Sequence, residues 1–296
     1  MTAKILDGKA IAGEIQKELA EETAKLKSEG VVPGLGVLLV GDDPASRSYV
    51  TAKERACERV GLHSEEVKLP QDASMKEILS VVEAFNKNPQ IHGILVQLPL
   101  PDNSIEKKVI ETILPEKDVD GFHPVNIGRA LLGRPAFLPC TPHGILHILK
   151  RSGIKTEGAN VVIVGRSNIV GRPLANLLSM KSEMGNATVT LCHTRTRNVA
   201  GFTRDADIVI AAAGRPNTIT VDMVRAGAVV IDVGVNRVPD STRERGYRLV
   251  GDVEFDALKG KVAAITPVPG GVGPMTITML LHNTVEATKR AITDRS

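Results

Sequence analysis

The sequence predicts an α/β protein of two domains, each a parallel sheet flanked by helices. Three observations carry this. Short, largely apolar runs such as Leu35–Val40, Ile91–Gln97 and Val161–Val164 have the length of strands buried on both faces. They alternate with longer stretches of helical period along nearly the whole chain. A proline-rich stretch at 115–142 breaks that rhythm and separates two such series. At 296 residues the chain is long enough for two cores.

Taken in order, Ile11, Ile15, Leu19 and Leu26 mark a first helix. Leu35–Val40 reads as a buried strand, and Asp43-Pro44-Ala45-Ser46 as the start of a helix over 46–60. A strand at 65–69 precedes a helix with Met75, Ile78, Leu79, Val82 and Phe85 on one face. Ile91–Gln97 is the next strand, ended by Leu98-Pro99-Leu100-Pro101. After the junction, Ile145, Leu146, Ile148 and Leu149 mark a helix that leads into the second series. Its strands fall at Val161–Val164, Val189–Cys192, Ile208–Ala212 and Val229–Val233, and Ile265 closes the last. The polar stretch 237–248 is an exposed loop or hairpin, and 275–291 the final helix. This divides the chain into 1–140 plus 275–296, and 141–274.

Composition narrows the function. A net charge of +3, with basic residues dispersed, argues against a nucleic-acid partner but suits small anions. Two tyrosines, five phenylalanines and no tryptophan provide no stacking platform for single strands. No apolar run reaches membrane-spanning length, and the N-terminal residues lack signal-peptide character. Cys57, Cys140 and Cys192 are widely spaced and form no CxxC pair, so reduced thiols in a cytoplasm are expected.

Thr266–Thr276 carries three prolines and three glycines between an apolar run and a helical segment. Such a stretch is stiff and lets another group approach its backbone closely, as a ligand-facing loop requires. A sharp turn would need fewer of these residues.

A nucleotide site is suggested in the second series. Val161–Val164 leads into Gly165-Arg166-Ser167-Asn168-Ile169-Val170-Gly171-Arg172-Pro173, a strand, glycine turn and helix start that would present N–H groups to phosphate. Ser167 stands where the middle glycine of GxGxxG would be, and an ordinary βα turn fits the pattern equally well. Small residues at Ala211-Ala212-Ala213-Gly214 end a later strand, as a dinucleotide lying across strand ends would require. After Val189–Cys192 comes His193-Thr194-Arg195-Thr196-Arg197, with no acid to accept the ribose 2′-hydroxyl of NAD. Thr194, Arg195 and Arg166 suit a 2′-phosphate instead, so NADP is expected over NAD.

In the first series Tyr49 and Lys53 share a helix face, a spacing that alone fits a solvated lysine beside a half-buried tyrosine. Gln97 gives the pair a context, because it is a polar residue closing a strand at the carboxyl edge where open α/β sheets bind ligands. Asp118-Val119-Asp120-Gly121-Phe122-His123-Pro124 adds acids nearby in sequence. With these motifs in this order, the chain resembles the bifunctional methylenetetrahydrofolate dehydrogenase/methenyltetrahydrofolate cyclohydrolase family from Tyr49 through Gly93–Pro101, Lys117–Pro124 and Gly165–Pro173 to Thr266–Thr276.

The resemblance implies two lobes around a cleft, with folate on the N-terminal α/β lobe and NADP on a Rossmann-like C-terminal lobe. It also implies a homodimer. Lys53 matches the family's catalytic lysine, Tyr49 the tyrosine beside folate, Gln97 the glutamine supporting the lysine, and Asp120 the acid that holds the pterin. Pro269, Gly270 and Gly271 fall in a loop near folate. Gly165, Arg166, Ser167, Gly171, Thr194, Arg195, Ala213, Gly214 and Gly273 fall in the dinucleotide site. His143 and His147 have the spacing of a metal pair, but Gly144 replaces the glutamate of zinc hydrolases and no third ligand is evident, so no metal is expected.

Overall fold

The computed structural model describes residues 2–243 and 246–293. The chain opens with β1 (Lys4–Ile5), α1 (Gly8–Ser28), β2 (Gly34–Val40), α2 (Pro44–Val60), β3 (His63–Leu69), α3 (Met75–Lys87) and β4 (Gly93–Val96). α4 (Glu106–Thr112), α5 (Pro124–Leu131) and α6 (Cys140–Arg151) follow. Next come β5 (Asn160–Val164), α7 (Gly171–Ser179), β6 (Thr188–Cys192), α8 (Val199–Thr203), β7 (Ile208–Ala211) and β8 (Val229–Asp232). The last elements are β9 (Asn236–Pro239), β10 (Tyr247–Val250), α9 (Phe255–Lys259), β11 (Ala264–Ile265) and α10 (Val272–Thr293).

Two compact units result: Gly13–Cys140 with the chain from Ile277 on, and Thr141–Thr276 with the residues through Ala12. The first twelve residues therefore group with the C-terminal series, whereas the sequence pattern assigns them to the N-terminal one. The reason is β1, which pairs with β11 in parallel at Lys4↔Ala264 and Ile5↔Ile265. Two residues are too few to show any period in sequence.

The N-terminal unit contains a parallel sheet ordered β3-β2-β4. All seven residues of β2 are buried, as befits a central strand covered on both faces. Ile78, Val82 and Phe85 of α3 pack against Leu38, Ile94 and Val96. α3 begins at a capping box, in which the Ser74 side chain accepts from Glu77 N and Glu77 reaches back to the Ser74 backbone. The chain runs from β2 outward to β3, then returns to place β4 on the other side of β2. That makes a switch point between the carboxyl ends of β2 and β4, where such sheets bind ligands.

Beside β4, Lys117–Val119 adds a short parallel bridge: Ile94 N donates to Lys117 O at 2.8 Å, and Ile94 lies opposite Asp118. The approach is close enough that a Cβ on Gly93 would stand 2.6 Å from Val119 Cγ1. The 115–142 stretch is thus not merely a junction, because its first part builds the sheet edge and its middle forms α5, begun by Pro124 at the first turn.

The other unit holds a parallel sheet ordered β1-β11-β8-β7-β5-β6, with β9 and β10 as a separate antiparallel hairpin over the polar stretch. Val162, Val164, Val209, Val230 and Ile265 are among its core. Here the switch point lies between β5 and β7, since β6 follows β5 on one side and β7 returns on the other. The final helix starts at Val272, three residues before the expected 275, because Pro274 is accommodated in its first turn. Among the described residues, no helix is long and apolar enough to cross a membrane.

Candidate active site

At the N-terminal unit's switch point, α2 leaves β2 and carries Tyr49 and Lys53 one turn apart. Gln97 is the first residue after β4, its position fixed by Gln97 N donating to Leu38 O of β2 at 2.9 Å. The two sequences converge on one contact, Lys53 Nζ donating to Gln97 Oε1 at 2.9 Å. The glutamine is oriented in turn, as its Nε2 donates to Leu98 O at 2.7 Å. With the amide nitrogen used by the backbone, the oxygen is the end that faces the lysine. Lys53 Nζ also lies 5.7 Å from the centre of the Tyr49 ring, which is itself 38% exposed.

Lys53 is buried, and that burial pushes its ammonium below the usual lysine value. The negative charge of Asp120 opposes the shift. Asp120 moves the other way: burial raises its carboxyl to about 6, against the attraction of Lys53. Desolvation therefore favours the neutral form of both groups. Lys53 directs its hydrogen bond to an uncharged amide, so the amine is held in place without being locked as an ammonium.

Residues with no evident signal in sequence build the floor beneath Asp120. Asp118 accepts from His123 N at 2.8 Å, Phe122 N at 3.2 Å and Asn126 Nδ2 at 2.8 Å, which folds the 118–126 segment into a fixed turn. Asn283 on α10 donates to Val119 O at 2.8 Å and Leu138 O at 3.1 Å. Cys140 is buried and donates to Val119 O at 3.4 Å; that burial, with the charge and hydrogen bond of Asp120 beside it, raises its thiol far above the normal value. Asn283 lies 164 positions from Val119, so no local pattern could reveal that contact.

The dinucleotide candidates lie in the other unit. Gly165 follows β5 with φ +132°, and a Cβ there would collide with the carbonyl of Ala212 at the end of β7. A Cβ on Gly171 would in turn strike Gly165 O. Only glycine allows these two turns to nest. Ser167 caps the turn internally, its Oγ accepting from Val170 N at 3.1 Å and its carbonyl from Arg172 N at 3.1 Å. α7 then begins at Gly171 without a side-chain cap; because Arg172 N is bonded to Ser167 O and Pro173 has no N–H, what its first turn can offer a ligand anion is confined to the Gly171 end.

Gly165 N donates to Cys192 O at 2.9 Å, which sets the turn after β6 beside it. That turn is self-contained: His193 N donates to Thr196 Oγ1 at 2.9 Å, Thr196 N to His193 O at 2.8 Å and Arg195 N to His193 Nδ1 at 3.1 Å. Thr194, Arg195 and Arg166 are all exposed, with their side chains at the surface. Ala213 and Gly214 follow β7, with Gly214 at φ +69°. The fit to a 2′-phosphorylated dinucleotide is good: a glycine cradle, an uncapped helix start, and cations in place of the usual acid.

Pro269, Gly270 and Gly271 belong to this same unit. Gly270 adopts φ +105°, and its carbonyl accepts from Lys9 N at 3.0 Å. A Cβ on Gly271 would be 2.6 Å from Pro267 O, while one on Gly8 would meet Gly271 O. The loop is thus packed on the first turn of α1. Gly273 falls within the first turn of α10, not in the loop proper. His143 and His147 face each other at 3.3 Å between Nε2 atoms, and no group of three metal-ligating side chains forms among the described residues.

The chain matches two family models, the tetrahydrofolate dehydrogenase/cyclohydrolase catalytic domain over residues 6–120 and its NAD(P)-binding domain over 139–292. The chain belongs to the tetrahydrofolate dehydrogenase/cyclohydrolase family. It is 56% identical over 288 residues to the bifunctional protein FolD of Geotalea uraniireducens, covering 97% of this chain and 99% of that protein. The Bacillus subtilis bifunctional protein FolD is 54% identical, over 99% of this chain and all of that one. Among solved structures, the Campylobacter jejuni FolD enzyme superposes with a TM-score of 0.91 at 47% identity, covering 97% of this chain and 99% of that one. A Trypanosoma brucei member of the family, solved with NADP and an inhibitor, reaches 0.93 at 40% identity, covering 99% of each chain. In this dehydrogenase/cyclohydrolase the Lys53–Gln97 contact lies within the catalytic-domain match, and the Gly165–Gly171 turn within the NAD(P)-binding match.

Proposed function

We infer that the protein oxidises 5,10-methylenetetrahydrofolate with NADP and hydrolyses the resulting methenyl compound to 10-formyltetrahydrofolate. The observation that carries this reading is the Lys53–Gln97 pair, an oriented amine with a depressed pKa at a sheet switch point, in a chain of this family.

NADP, when bound, supplies the hydride acceptor. Gly165, Ser167, Gly171 and Gly273, with Ala213 and Gly214, are the positions that would hold its backbone, and Arg166, Thr194 and Arg195 its 2′-phosphate. Toward the folate, Asp120 accepts hydrogen bonds from the amino and ring N–H groups of the pterin, and Tyr49 packs against its ring. Pro269, Gly270 and Gly271 form a rigid loop that narrows the choice of substrate pose.

The hydrolytic step belongs to Lys53. A water adds to the methenyl carbon, forming a C–O bond as a proton passes from the water to neutral Nζ. Collapse of the adduct to the formyl C=O releases its hydroxyl proton to solvent and breaks the bond from that carbon to N5 of the pterin, while the lysine passes its proton to N5, so each turnover releases one net proton. Gln97 keeps the amine's lone pair directed by holding one of its N–H groups. A protonated Lys53 would both lack that lone pair and oppose the cationic substrate, so the depressed pKa serves both steps.

As the resemblance implies, the working form is a homodimer active in one-carbon metabolism; the widely spaced cysteines fit a cytoplasmic protein, where its formyl product feeds purine biosynthesis. Sedimentation at working concentration tests the first point. The activity itself is tested by following NADPH formation from methylenetetrahydrofolate, and the loss of methenyltetrahydrofolate without dinucleotide, in one preparation. Turnover in both assays is the expected result; a preparation that reduces NADP but leaves the methenyl compound at its spontaneous rate would be a monofunctional dehydrogenase.

A further inference from the structure

A buried pair of carboxylates, Asp232 and Asp252, stands behind the dinucleotide turns and has no place in the reaction above. Asp232 ends β8 at 2% exposure, and Asp252 follows β10 at 0%. Asp252 Oδ2 accepts two consecutive backbone N–H groups, Ala213 at 2.6 Å and Gly214 at 2.8 Å. Its other oxygen accepts from Asn236 Nδ2 at 2.9 Å. Asp232 holds Asp252 in turn, with Oδ1 accepting from Asp252 N at 2.8 Å and from Gly234 N at 3.1 Å, and Oδ2 from Val253 N at 3.2 Å. Asp232 N donates to Thr266 Oγ1 at 2.7 Å, at the head of the proline/glycine loop.

The glycines around the pair are required by it. A Cβ on Gly234 would fall inside the Asp252 carboxylate, and one on Gly251 inside that of Asp232. A buried carboxylate is costly unless its lone pairs are used, and here five N–H donors from backbone and one amide use them.

We propose that Asp252 is a positioning residue for the dinucleotide, pinning the Ala213–Gly214 turn from behind and assigning that turn to an uncharged part of the ligand. Both N–H groups of the turn are committed to the carboxylate, so they are not offered to a phosphate. The negative charge behind them also disfavours a phosphate at that place. Phosphate contacts then fall to the Gly165–Gly171 turn and the start of α7, and the 213–214 turn meets ribose or nicotinamide through carbonyl oxygens and bare Cα. Through Asp232 and Thr266, the same network ties this turn to the loop carrying Pro269–Gly271. The proposal rests on the family's two activities, one of which uses no dinucleotide.

The two activities provide the test. In Asp252→Asn the isosteric amide turns a donor toward either the 213–214 N–H groups or Asn236. The KM for NADP should rise about tenfold, the scale expected for an unpaired buried donor. Methenyl hydrolysis in the same preparation should keep most of its rate. Asn236→Ala, which leaves Asp252 in place but loosens it, should shift the KM for NADP in the same direction by a smaller factor. An unchanged KM in both variants overturns the proposal. So does a parallel fall of both activities with the melting temperature, which would make the pair a folding element only. Should Asp252→Asn not fold, Asn236→Ala decides alone by the same criterion.

Discussion

Lys53 Nζ donates to Gln97 Oε1 at 2.9 Å, and the glutamine can offer only its oxygen because its nitrogen is bound to Leu98 O. An amide in that position orients the amine without stabilising its charge. A carboxylate there would do the opposite. Gln97→Glu should raise the Lys53 pKa back toward or above the ordinary lysine value. Hydrolysis needs the neutral amine, so its rate climbs with pH through the lysine pKa, and the whole limb should move to higher pH in the variant. At neutral pH the methenyl hydrolysis rate should fall by about tenfold or more, because about 1.4 kcal/mol of added preference for the ammonium leaves roughly a tenth as much neutral amine. A pH–rate profile that keeps its wild-type position would show that the glutamine acts in some other way.

Removing the amine separates the two chemistries. Lys53→Met keeps the length and the apolar stem of a side chain that is 7% exposed, so the helix packing should survive. General-base catalysis is worth about a hundredfold or more, and hydrolysis should fall by at least that factor. NADP reduction needs no proton transfer at the reacting carbon and should retain a measurable part of its rate. Equal loss in both assays, with unchanged circular dichroism, would rule out this division of labour.

Asp120 gives a second, independent pH dependence. Burial raises its carboxyl to about 6, above an unfolded value of about 4. A raised carboxyl favours the protonated form in the folded state. Its contribution to stability is therefore complete below about pH 4 and is lost as pH rises through about 6. For binding the consequence runs the other way, since only the carboxylate accepts from the pterin N–H groups on both oxygens. The KM for folate should be flat above about pH 6 and rise as pH falls below it. Asp120→Asn should raise the KM throughout and remove that break. Persistence of the break in the variant would assign it to another group.

How much of this is legible in sequence depends on the distance over which each signal acts. β2, β4 and β5 are buried on both faces, and their apolar runs identify them directly. Gln97 stands out because switch points sit at strand ends and the end of β4 can be counted along the chain, whereas Lys53, which spacing alone leaves as a solvated lysine, and Asp120 are singled out by the resemblance to the family. β1 leaves no such mark, since two residues acquire strand geometry only from β11, some 260 positions away. The roles of Asp118, Asn283 and Asp252 are hidden for a related reason: each acts by accepting or donating to backbone that is remote in sequence or has no side-chain signature. Gly234 and Gly251 hold the only trace of the carboxylate pair, two glycines flanking a hairpin, and that trace becomes specific only once the Cβ collisions are seen.

The turn after β6 allows the cofactor preference to be tested without disturbing the fold. Its hydrogen bonds run among His193, Arg195 N and Thr196, and none of them uses the Arg195 guanidinium. Arg195→Ala should therefore leave the melting temperature within about 1 °C of the wild type, as surface substitutions usually do. A charge-assisted contact to a phosphate is worth about 1.5–3 kcal/mol, which predicts a rise in the KM for NADP of about tenfold to a hundredfold. NAD lacks the 2′-phosphate, so its kcat/KM should not change, and the selectivity ratio should fall by the same factor. The wild-type KM for NADP should also rise with ionic strength more steeply than that for NAD, and this difference should shrink in the variant. A variant that loses NADP and NAD efficiency in proportion would place Arg195 against the part of the dinucleotide that both cofactors share.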